Sequence, residues 1–106
     1  MDPFSHIPIR VLLVDSRQIV LWGLEKLINS ESPRMETVGK ASNGTDARRL
    51  ARESQPNIVL LDLELGGERG VDLIPDLLKM GNFHIIVFTE IHDPTTIDVA
   101  IFNGAR

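Results

Sequence analysis

At 106 residues the chain is sized for one domain, and 42% hydrophobic residues suffice to give that domain a packed core. A net charge of -4 offers no basic face for neutralising phosphates, which argues against direct nucleic-acid binding, and the lack of cysteine excludes a disulfide scaffold and thiol chemistry. No apolar run reaches the length of a membrane span and no signal peptide is recognisable, so the expectation is a cytoplasmic protein with no membrane partner.

Residues 1–8 read as a leader or expression remnant outside the fold. Ile9 to Val14 reads as a strand, closed by Asp15. Arg17 to Asn29 reads as a helix with Val20, Leu24, Leu27 and Ile28 on one face, broken by Ser30-Glu31-Ser32-Pro33. Val20, Leu21 and Trp22 are consecutive and cannot all face one stripe, so at least one is exposed. Trp22 then either packs along the helix or forms a contact surface. Met35 to Gly39 alternates weakly, as an outer strand does. Asn43-Gly44 is a turn, with Thr45 as the expected cap of a helix through Ala47, Leu50 and Ala51. Pro56 leads into Ile58-Val59-Leu60-Leu61, a bounded apolar run that reads as a buried parallel strand and ends in Asp62. Gly66 to Gly70 reads as a mobile turn; it lacks the spacing and the lysine of a phosphate loop. Val71, Ile74, Leu77 and Leu78 have helical spacing, with Pro75 as a kink or late start. His84 to Thr89 is a fourth strand, and Asp93-Pro94-Thr95 opens a fourth helix that ends near Asn103-Gly104.

Strands alternating with helices predict an α/β fold with a parallel sheet covered on both faces and right-handed crossovers. Asp15, Asp62 and Thr89 then converge at strand carboxyl ends, where open α/β sheets place their chemistry. Two carboxylates at neighbouring strand ends repel unless a cation or a proton joins them, which points to a divalent-metal or phosphoryl-transfer site. His6, His84 and His92 are scattered and suggest no metal centre.

Ile9 to Asp15, Gly23-Leu24, Pro56 to Leu63, Gly70, Val87-Phe88-Thr89 and Asn103-Gly104-Ala105 together resemble the receiver domain of bacterial two-component response regulators. The branch it looks most like carries a C-terminal LuxR-type helix-turn-helix output. The resemblance covers residues 9–106 and implies a flavodoxin-like doubly wound sheet of order 2-1-3-4, with the family's fifth strand and helix missing after Arg106. It implies that Asp62 is the phosphoacceptor, that Asp15 is the first acid of a Mg²⁺-binding pair, that the Glu64 backbone carbonyl is a metal ligand, and that Thr89 is the switch hydroxyl. It also implies a non-enzymatic signalling module that takes its phosphoryl group from a histidine kinase or another phosphodonor.

The chain departs from the pattern in ways that matter. Ser16 stands where the second acid belongs, and a neutral hydroxyl is a poor Mg²⁺ ligand, so weak Mg²⁺ binding is expected. Ser16 is instead assigned as the cap of the first helix. Glu90 follows the switch threonine where a small residue is usual, and Gly66 replaces a proline. Ser16 and Glu90 degrade the site and support an alternative: a pseudo-receiver that switches by protein contacts or another ligand, without phosphorylation. Asp62-Leu63-Glu64 also faintly resembles the Asp-x-Asp of haloacid-dehalogenase-type phosphatases, but that motif needs a second aspartate and the first strand, and both conditions fail. No Ser/Thr-rich loop follows the first strand, which disfavours a flavin-binding flavodoxin. Finally, His84 to Thr89 is expected to be an apolar edge strand that draws the chain into a homo-oligomer.

Overall fold

The computed structural model describes residues 7–65 and 67–88. Four parallel strands form the main sheet: β1 (Ile9–Val14), β2 (Met35–Ala41), β3 (Ile58–Leu61) and β6 (His84–Val87), ordered β2-β1-β3-β6. Helices α1 (Gln18–Asn29), α2 (Gly44–Ser54) and α3 (Gly70–Met80) are the crossovers between them. Two short strands, β4 (Glu64–Leu65) and β5 (Glu68–Arg69), pair antiparallel between β3 and α3. The expected order 2-1-3-4 is therefore the observed one, with β6 as the fourth strand. The fourth helix expected from Asp93 lies outside the described residues.

The sheet separates two apolar layers, as alternating side chains require. On one face Leu12, Val14, Val59, Leu61 and Ile85 pack with Ala47 and Ala51 of α2 and Val71, Ile74 and Leu77 of α3. On the other face Val11 and Leu13 pack with Leu21 of α1, flanked by the half-buried Leu24, Ile28, Ile58 and Leu60. β1 is apolar from Val11 to Val14 because both faces are covered there. β3 was expected to be buried throughout. Only Val59 and Leu61 are; Ile58 and Leu60 face the thinner α1 layer and stay half-exposed.

Several local expectations are corrected. On α1 the buried residue is Leu21, whereas Leu27 is 67% exposed, because the helix lies on β1 through the 21-24-28 stripe. Trp22 is exposed, with the Lys26 ammonium 5.6 Å from its ring centre. The α2 cap is Asn43, not Thr45: its Oδ1 accepts the Asp46 N–H at 2.8 Å. Asparagine is the stronger cap, and using it brings Gly44 and Thr45 inside the helix. On α3 the inward side chains include Leu73, while Leu78 is partly exposed. Pro75 lies inside α3, which begins at Gly70, so it marks no late start. The segment before α3 is the β4–β5 hairpin, with Gly67 at a positive φ of 83°.

Candidate functional site

β1 and β3 are hydrogen-bonded neighbours in a register that sets Val14 beside Leu61. The next residue on each strand is an aspartate, so Asp15 and Asp62 emerge side by side. The Asp62 N–H donates to the Val14 carbonyl at 2.9 Å, and the Asp15 N–H donates to the Ala41 carbonyl at 3.0 Å. Both carboxylates are held by the ends of the sheet itself. Asp15 is 1% exposed and Asp62 4%, so each needs a compensating charge or donor.

Arg17 supplies it. Its backbone N–H donates to Asp15 Oδ1 at 2.8 Å, which closes a tight turn between β1 and α1. Its guanidinium folds back over the same carboxylate, with Nε to Oδ1 at 3.1 Å and Nη2 to Oδ2 at 3.0 Å. This is the two-pronged geometry that makes arginine–carboxylate pairs strong. The same Nη2 lies 4.0 Å from Asp62 Oδ2, so one cation serves both acids.

The loop after β3 closes the other side. The Glu64 N–H donates to Asp62 Oδ1 at 3.2 Å. The Ser16 hydroxyl donates to the Glu64 carbonyl at 3.3 Å, bridging the β1 and β3 loops. Ser16 is therefore not the helix cap; the cap position belongs to Arg17, whose side chain makes no capping bond. Gly70 meets the back of the site. Its N–H donates to the Leu63 carbonyl at 2.8 Å. A Cβ there would lie 2.6 Å from both the Asp62 carbonyl oxygen and Leu63 Cα, closer than side chains approach backbone, so only glycine fits.

The hairpin beyond Asp62 is anchored by a second arginine. Arg48 of α2 donates to Glu68 through Nη1 at 3.2 Å and Nη2 at 2.7 Å, and to Asp76 of α3 through Nε at 3.1 Å and Nη2 at 2.9 Å. The hydrogen bond to Glu68 is the main cause that raises the Arg48 pKa above its ordinary value, with Asp76 adding to it and desolvation opposing it.

Of the residues nominated from sequence, Asp15, Asp62 and the Glu64 carbonyl are brought together. Thr89 and Glu90 lie outside the described residues. Arg17 was missed. Its signal was a cation two residues after Asp15, in the very turn where an expected acid is replaced by Ser16.

The Mg²⁺ implied by the resemblance does not fit this arrangement. Both Asp15 oxygens accept N–H groups from Arg17, and the Glu64 carbonyl accepts the Ser16 hydroxyl.

The sequence model of the response regulator receiver domain matches residues 11–106. The chain belongs to this family. It is 34% identical over 98 residues to the transcriptional regulatory protein LiaR of Bacillus subtilis, covering 92% of this chain and 46% of that protein. It is 31% identical over 99 residues to the nitrate/nitrite response regulator NarL of Escherichia coli K12, covering 92% and 45%. Among solved structures, a LuxR-family two-component response regulator from Aurantimonas superposes with a TM-score of 0.83 at 32% identity, over 92% of this chain and 70% of that one. This receiver thus spans about half the length of the curated relatives named. Some relatives are enzymes: a protein-glutamate methylesterase of Myxococcus xanthus is 34% identical over 92 residues, but the match covers 26% of its length. No helix among the described residues is long and apolar enough to cross a membrane.

Proposed function

We propose that this receiver takes a phosphoryl group on Asp62 from a histidine kinase or another phosphodonor, in the cytoplasm, and thereby controls a partner or a DNA-binding output domain. One observation carries the reading: the carboxylate of Asp62 stands at the carboxyl end of a central strand, beside Asp15, in a chain whose family match runs from residue 11 to 106. Control of transcription is supported by the similarity to the transcriptional regulatory proteins LiaR and DesR of Bacillus subtilis. Nucleic-acid contact is assigned to an output domain, since this acidic segment offers no basic face. Thr89 remains the proposed switch hydroxyl. The test is incubation with acetyl phosphate and intact-mass measurement. The native protein gains one phosphoryl group and Asp62→Asn gains none; equal labelling of the two rejects Asp62 as the acceptor.

A second reading has a specific observation behind it. Arg17 lies on Asp15 and Ser16 holds the Glu64 carbonyl, which favours a pseudo-receiver that switches by protein contacts. No phosphoryl gain from acetyl phosphate or from a phosphorylated kinase decides for it.

Self-association is proposed as well. Ile86 and Phe88 are large, apolar and exposed on or next to β6, and such a strand invites pairing with a second copy. Sedimentation at rising concentration is expected to show a dimer that Ile86→Lys weakens; a monomer throughout removes the proposal.

A further inference from the structure

The acid pair of this receiver already has a cation. Asp15 and Asp62 are both almost wholly buried, and buried carboxylates need a partner. Arg17 supplies a cationic one from within the chain. Its main-chain N–H and two side-chain nitrogens all point at Asp15, and its Nη2 stands 4.0 Å from Asp62. A Mg²⁺ ion needs a carboxylate oxygen at about 2.0–2.1 Å and near-octahedral geometry. It would meet Asp15 oxygens that already accept N–H groups, with a positive guanidinium at hydrogen-bond distance from the same atoms. The Glu64 carbonyl is engaged by the Ser16 hydroxyl.

We infer that Arg17 is the resident counter-ion of the Asp15–Asp62 pair, and that it excludes divalent cations while it lies on Asp15. The pocket is held together by a covalently attached cation in place of an exchangeable one. Folding of the site is then independent of Mg²⁺. Any divalent ion that enters does so only as Arg17 swings out, for which its side chain, about a third exposed, is suitably placed at the rim. This goes beyond the role proposed for Asp62 and holds whether or not Asp62 is phosphorylated.

The experiment compares the full chain with Arg17→Gln and Arg17→Lys. Each protein is titrated calorimetrically with Mg²⁺ and with Mn²⁺, and its thermal unfolding is followed in EDTA and in millimolar Mg²⁺. The native protein is expected to show no saturable binding and the same Tm in both buffers. Arg17→Gln is expected to melt lower in EDTA, to regain stability in Mg²⁺, and to bind the ion at least roughly tenfold more tightly, the size expected when a like charge leaves contact distance in a wet site. Arg17→Lys keeps a cation but loses the fork, so its gain is smaller. If Arg17→Gln folds only with Mg²⁺ present, that supports the inference too. Should it not fold in either buffer, Arg17→Lys decides by the same titration. Saturable Mg²⁺ binding by the native protein as tight as that of the variants, or no gain in any variant that folds, overturns the inference. None of these measurements involves phosphoryl transfer, so their failure and the failure of Asp62 as acceptor are separate results.

Discussion

Among the described residues Arg17 and Arg48 each hold carboxylates from two different elements, and they do different work. Arg17 faces side chains that are 2% and 5% exposed. Arg48 faces Glu68 and Asp76, which are 28% and 44% exposed. Arg48 makes four side-chain hydrogen bonds to its two partners, yet water can replace it. Arg17 serves acids that water reaches poorly. Burial of the anions, more than the number of bonds drawn, sets how much each arginine matters.

The sharpest way to break this comparison is Arg17→Ala. It removes the cation that lies on buried Asp15 and beside Asp62, and urea unfolding in EDTA should show a loss of about 3 kcal/mol. In an Asp15→Asn background the same change should cost much less, since the two residues form one unit. An additive pair of effects would mean that Arg17 stabilises the fold in some other way. Gly70→Ala comes next. The added methyl meets Asp62 and Leu63 backbone, which cannot rotate away, and a loss of about 2 kcal/mol is expected. An unchanged denaturation midpoint would show that α3 shifts freely away from Asp62. Arg48→Ala is the smallest. Its loss should be about 1 kcal/mol, and it should shrink further in high salt, because exposed pairs are screened. A loss as large as that of Arg17→Ala would erase the distinction between the two clusters.

Much of this was legible in sequence. The four strands and their order could be read because short apolar runs closed by polar residues alternate with helical spacings, and that pattern admits few sheets. Asp15 and Asp62 were legible for the same reason: each follows its strand directly, so placing the strands places the acids. Arg17 was not, because its role depends on a side chain folding back across a turn, and no periodicity records that. The choice between Leu21 and Leu27 was also out of reach. Both complete plausible stripes with Leu24 and Ile28, and only the seat of α1 on β1 decides between them. Asn43 was read as half of a turn and Thr45 as the cap, although asparagine before a helix serves both purposes. The β4–β5 hairpin is two residues a side, too short for alternation to show, and the Glu68 partner that anchors it is twenty residues away in sequence.

Trp22 is the single tryptophan of the chain, and it stands in the open on the first helix, less than two turns from Arg17. The receiver therefore carries its own optical probe. An indole in water emits at long wavelength, and one covered by protein emits at shorter wavelength. A complex that covers α1 will shift the emission to the blue, while one formed along β6 alone will leave it where it is. The colour of one side chain thus tells which face of this domain meets its partner.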